Sequence, residues 1–150
     1  MINLSVDTRT LSSSLPKDHL ETILSEMINL VEMSFNIIIE EIDGDNSYWT
    51  HIEEGDCEEM DIFGIIEIGQ EQSPFQKIIS VTHECGHVLH QMDPLFKDSK
   101  NILFNESLAW YLGYHFMDEH GYTIDIKEYR KEISYALNLY RRSLNAGDVK

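Results

Sequence analysis

Cysteine, proline and basic side chains are all scarce in this chain. Of its 150 residues two are Cys, three are Pro and 11 are Lys or Arg, against 27 Asp or Glu, for a formal net charge of −16. Two thiols, Cys57 and Cys85, can close at most one bridge, which excludes a small disulfide framework and makes a reducing compartment the expectation. No apolar run approaches the roughly 20 residues that cross a bilayer, and the first residues carry neither the basic segment nor the apolar core of a secretory leader. A soluble, cytoplasmic protein without a membrane partner is therefore expected. Bases are missing altogether from one long stretch: between Asp18 and Gln76 there are 16 carboxylates and no Lys or Arg. Such a surface repels phosphate backbones, so direct nucleic-acid binding is not expected. Three readings remain for the acid: a solvated face, a cationic substrate or partner, or mimicry of a nucleic acid. Neither an internal repeat nor a low-complexity tract is present.

What is there suffices for one domain. A chain of this length buries roughly two thirds of its unfolded surface, and 42% of its residues are hydrophobic. The polar stretch Asp7 to Ser14 suggests a flexible lead over residues 1–14, with a single domain over 15–150. From Pro16 to Asn36 the apolar residues Leu20, Ile23, Leu24, Met27, Val31 and Phe35 recur at helical spacing. Asn36 to Ile42, Ser47 to Ile52 and Ile62 to Ile68 are β-branched and aromatic, and Asp43-Gly44-Asp45-Asn46 supplies turn chemistry, so the first two are expected to pair as a hairpin. The acidic run Glu53 to Asp61 is expected to be a loop. Ser73-Pro74-Phe75-Gln76 has a capping serine, a proline at the first helical position and a glutamine three residues after the cap, predicting a helix that runs to Met92, before Pro94. A third helix is predicted over Ile102 to His120, ended by Gly121, and a fourth from the capping box at Asp125 to about Asn145. Helix, three strands and three helices argue an α+β domain, a small and largely antiparallel sheet covered by helices.

The second helix carries His83-Glu84-Cys85-Gly86-His87. At 100° per residue Ile78, Val81, Cys85, Val88, Leu89 and Met92 gather on one side, and the two imidazoles fall on the other. Residues four apart on a helix stand about 6 Å apart, close enough for two imidazole nitrogens to hold one zinc ion, with Glu84 on the flank as general base for a water. A catalytic zinc takes three protein ligands. His90 is seven residues from His83, about 10.5 Å along the axis, too far to share the metal; it is expected at the rim or exposed. Cys85 points into the core. Glu106, at the start of the next helix, is the better third ligand, because Gly86, Ala109 and Gly113 would let the two helices approach closely. The plain alternative for Glu106 is a carboxylate favoured by the helix N-terminus.

His-Glu-x-x-His, 18 intervening residues and then the Glu106 of Asn-Glu-x-x-Ala resembles the gluzincin metallopeptidases. The run Phe104-Asn105-Glu106-Ser107-Leu108-Ala109-Trp110-Tyr111 is similar to the matching segment of the alanyl/leucyl aminopeptidase group. The resemblance covers about Thr82 to Gly113. It implies a minimal, single-domain zincin-like fold with Zn2+ as cofactor. It also implies His83, His87 and Glu106 as metal ligands, Glu84 as catalytic base, and a peptide or protein substrate. In that family an edge strand lines the cleft, and Ile62 to Ile68 is the counterpart expected here. There are departures. Gly64-Ile65-Ile66-Glu67 only faintly matches the aminopeptidases' amine-binding segment, and Trp110 stands where thermolysin-like members have an Asp that orients a ligand His. The oxyanion donor is open among Tyr114, His115, His120, Tyr122, Tyr129, Tyr135 and Tyr140. The expected activity is zinc-dependent peptide hydrolysis, endo or exo undetermined. Its rival is a non-catalytic acidic protein that engages a basic partner or mimics DNA. Oligomeric state is left open.

Overall fold

The structure is a computed structural model that describes residues 10–51, 62–92 and 101–145. Its elements in chain order are β1 (Thr10–Leu11), α1 (Lys17–Phe35), β2 (Ile38–Ile42), β3 (Tyr48–His51), β4 (Gly64–Gly69), α2 (Pro74–Met92), α3 (Ile102–Glu119), β5 (Thr123–Ile124) and α4 (Ile126–Asn145). The class is α+β, as expected, and the four helices fall where their stop and start signals stand. The Ser73 hydroxyl accepts from the Gln76 N–H at the start of α2. The Asn101 side chain accepts from Phe104 N–H at the start of α3. One oxygen of Asp125 accepts from the N–H groups of Lys127 and Glu128, each at 3.0 Å, at the start of α4. All six apolar residues of the α1 stripe are buried. Asn36 ends that helix in the left-handed region at φ 54°.

The sheet departs from expectation. β2 and β3 do not form a hairpin: both pair with β4, which lies between them, β2 in parallel and β3 antiparallel. The reason is burial. β4 holds Ile66 and Ile68, both 0% exposed, whereas β2 exposes Glu40 and Glu41 and β3 alternates exposed and half-buried residues. The most apolar strand therefore takes the centre. The Asp43–Asn46 segment crosses the end of β4 instead of turning tightly: Gln70 N–H donates to Ile42 O at 2.8 Å and Glu71 N–H to Gly44 O at 3.0 Å. Gly69 sits against the backbone of Gly44 and Asp45, where a Cβ would collide. The sheet is thus mixed, not largely antiparallel. A second, two-stranded sheet pairs β1 with β5 in parallel.

β1 lies within the stretch expected as a lead. Leu11 is 2% exposed, pairs with Ile124 and belongs to the hydrophobic core, and its carbonyl accepts from Asp125 N–H. Residues 1–9 lie outside the described residues, as do Glu53–Asp61 with Cys57, and Pro94. Helix α2 runs through the middle of the molecule, packed against α1, α3 and the sheet. Among the described residues no helix is long and apolar enough to cross a membrane.

Candidate metal centre

Helix α2 is buried on nearly every side. Ile78, Val81, Cys85 and Val88 are 0% exposed, as their phase predicts, while Met92, placed on the same stripe, is exposed at the helix end. Thr82 and Gly86 meet the backbone of α3 at Gly113 and Ala109. The small residues at these crossings bring the helices to backbone contact, and this places the first turns of α3 beside the imidazoles of α2.

There the predicted ligands converge. His83 Nε2 stands 3.1 Å from Glu106 Oε1, and His87 Nε2 stands 2.9 Å from Glu106 Oε2, so each carboxylate oxygen faces one ring. One ligand atom from each of the three residues lies within 4.8 Å of the others, and the group can hold a metal ion. Two imidazole nitrogens and a carboxylate oxygen are a chemically suitable donor set for a first-row divalent cation. Burial alone would push the Glu106 carboxyl up, but the two imidazoles facing its oxygens hold it at about 2.

Glu84, 5% exposed, lies on the flank of the group. It accepts from Ser47 Oγ at 2.9 Å, and its Oε2 is 3.7 Å from His83 Nδ1. Trp110 stacks flat on His83, with ring centroids 4.0 Å apart and an interplanar angle of 8°. Behind it, the Tyr129 hydroxyl donates to the Trp110 carbonyl, and the two rings meet edge to face at 5.4 Å.

A cleft of about 470 Å³ opens onto these residues, walled by Ser47, Tyr48 and Trp49 on one side and by Glu132, Tyr135 and Tyr140 of α4 on another. The edge strand at the cleft is β3. The segment Ile62 to Ile68, expected in that role, contributes the central strand instead, because its isoleucines belong to the core. Glu67 is not among the residues lining the cleft. Of the seven conceivable oxyanion donors, only Tyr135 and Tyr140 line it. Burial raises the Tyr140 phenol, and the charges of Glu106 and Glu84 raise it further, so it remains a protonated donor past the ordinary tyrosine range. The others are engaged elsewhere: Tyr129 on Trp110 O, Tyr122 on Glu26, His120 on Phe116 O, Tyr114 against the Tyr129 ring and His115 against Tyr111.

Two of the remaining expectations divide. Cys85 is a free, buried thiol whose pKa burial drives well up, unsuited to ligation, as expected. His90 is 4% exposed rather than an exposed polar residue, although Gln91 and Met92 after it are exposed, and it does not line the cleft. Sequence reasoning missed Ser47 and Glu132 entirely. Trp110 could have been placed, since it follows Glu106 by one helical turn and so shares its face. Asp45, Glu84, Glu106 and Glu132 line the cleft, and no Lys or Arg is among its described lining residues. Compared with protein-family models, curated proteins and solved structures, the chain gives no significant match.

Proposed function

We propose that the protein is a minimal zinc metallopeptidase of gluzincin type, with a zincin-like arrangement of one helix bearing two histidines and a second bearing a glutamate. The observation that carries this reading is the convergence of His83, His87 and Glu106 from two helices onto one point, with the carboxylate of Glu84 beside it in a cleft. His83, His87 and Glu106 would hold the ion. Zinc in such a set acts as a Lewis acid that polarises a carbonyl and makes water more acidic.

The chain's own residues account for the rest. Ser47 fixes one oxygen of Glu84, and the other, with no bond among the described residues, would take a proton from the attacking water and return it to the leaving amine. Tyr140, which lines the cleft within electrostatic reach of Glu106 and Glu84, is the phenol assigned to donate to the oxygen of the tetrahedral species. The edge of β3 away from β4, unpaired among the described residues, offers an extended peptide backbone groups to bond. Carboxylates without a neighbouring base favour a peptide carrying positive charge.

The test is metal content together with hydrolysis. Purified protein is expected to carry about one zinc per chain, lost in His83→Ala and Glu106→Ala. Glu84→Gln is expected to keep the metal and lower peptide cleavage by about 10²–10⁴-fold. A second reading, an acidic protein that binds a basic partner without hydrolysis, is favoured by the net charge of −16. It would require Glu84→Gln to leave the protein's biological effect intact.

A further inference from the structure

The proposal concerns Trp110 and rests on the metal reading of His83. A ligand imidazole is ordinarily held by a hydrogen bond from its second nitrogen to a carboxylate or carbonyl, which fixes the ring and tunes its basicity. Among the described residues His83 lacks that support in the usual form. Its Nε2 faces Glu106, and the carboxylate oxygen nearest its Nδ1, Oε2 of Glu84, lies 3.7 Å away, beyond hydrogen-bonding range. What holds the ring is its face, covered by the indole at 4.0 Å and 8°.

Three further features show that the indole is present for its face. Trp110 is 5% exposed, yet its N–H finds no acceptor among the described residues. A buried donor without a partner is destabilising, so the N–H is not the reason for an indole at this position. The residue stands one helical turn after Glu106, so α3 presents a ligand and the stacking ring from the same face. Finally, α4 fixes the indole from behind through Tyr129, itself 1% exposed, by the hydroxyl-to-carbonyl bond and the edge-to-face contact. An electron-rich indole face also attracts an imidazole made electron-poor by a cation, so the stack favours the metal-loaded state.

We propose that Trp110 is the positioning residue of the metal centre, holding His83 by stacking in the place where a hydrogen-bonded carboxylate would otherwise stand, with Tyr129 as its brace. The experiment is zinc affinity by competition with a chromophoric chelator, for wild type, Trp110→Phe and Trp110→Leu, beside urea unfolding of the same metal-free proteins. Phe keeps a ring face and removes the unsatisfied N–H, so its affinity is expected within about threefold of wild type, whereas Leu is expected to weaken zinc by about 10–100-fold. Leu binding as tightly as wild type, or Phe binding as weakly as Leu, overturns the proposal while leaving the three-ligand centre standing. A wild type that takes up no metal overturns the metal reading and this inference together. Should the Leu variant fail to fold, Trp49→Phe leaves Trp110 as the sole indole. One equivalent of Co2+ is then expected to quench its emission strongly, and unchanged emission in the cobalt-loaded protein refutes the stack.

Discussion

Glu106 is subject to opposed influences whose balance can be measured. Burial disfavours its charge, and the two imidazoles favour it more, leaving the carboxyl at about 2 instead of the ordinary 4.5. A carboxyl lowered by folding stabilises the folded state above its unfolded pKa, and that contribution is lost as pH falls through the folded value. The metal-free protein is therefore expected to lose stability between about pH 4.5 and 2, and Glu106→Gln to lose less across that window. Unfolding midpoints against pH for the two proteins check this; equal slopes would assign the acid sensitivity to other carboxylates. At this scale the sequence was informative wherever chemistry has a spacing. His83, Glu84 and His87 declare themselves by a helical interval, and Glu106 by small residues that bring its helix close. Ser47 had no such signature, since it reaches Glu84 from 37 positions away across a loop, a contact that only the folded chain creates.

Among the elements, the contact between α2 and α3 sets the geometry of the centre. Glycine in a helix interior is ordinarily worse than alanine by about 1 kcal/mol, so Gly86→Ala would stabilise an isolated helix. Here the new Cβ would overlap the carbonyl oxygen of Ala109, a backbone atom that no rotamer change can move. Overpacking of this kind costs about 1–3 kcal/mol, which outweighs the propensity gain. Gly86→Ala is expected to lower the urea midpoint and to weaken zinc binding, because separating the helices draws Glu106 away from His83 and His87. A raised midpoint would mean that the crossing relaxes easily. Helix boundaries were legible because caps are local: Ser73 and Asp125 each bond within a few residues. Strand order was not. Turn chemistry at Asp43–Asn46 suggested a hairpin, yet the pairing was decided by which strand could bury most, a competition settled only when β4 packs under α2.

For the whole molecule the question is whether a net charge of −16 acts at the cleft or only around it. The two cases differ in their dependence on salt and on one residue. A diffuse field raises encounter with cationic peptides and fades as the screening length shrinks, to about 8 Å at physiological ionic strength. Contact with a carboxylate in the wall, such as the half-buried Glu132 on which Gln76 already donates, acts at short range and survives salt better. Paired peptides differing only in Lys against norleucine should therefore be separated most strongly at low salt, with part of the preference persisting at high salt. Glu132→Gln should remove that residual part, up to about fivefold in kcat/KM as a partly exposed charge pair is worth, and leave the salt-sensitive part unchanged. If acidic and basic peptides are cleaved equally at low salt, the acid of this surface serves solubility or a different partner, and neither the field nor Glu132 selects the substrate.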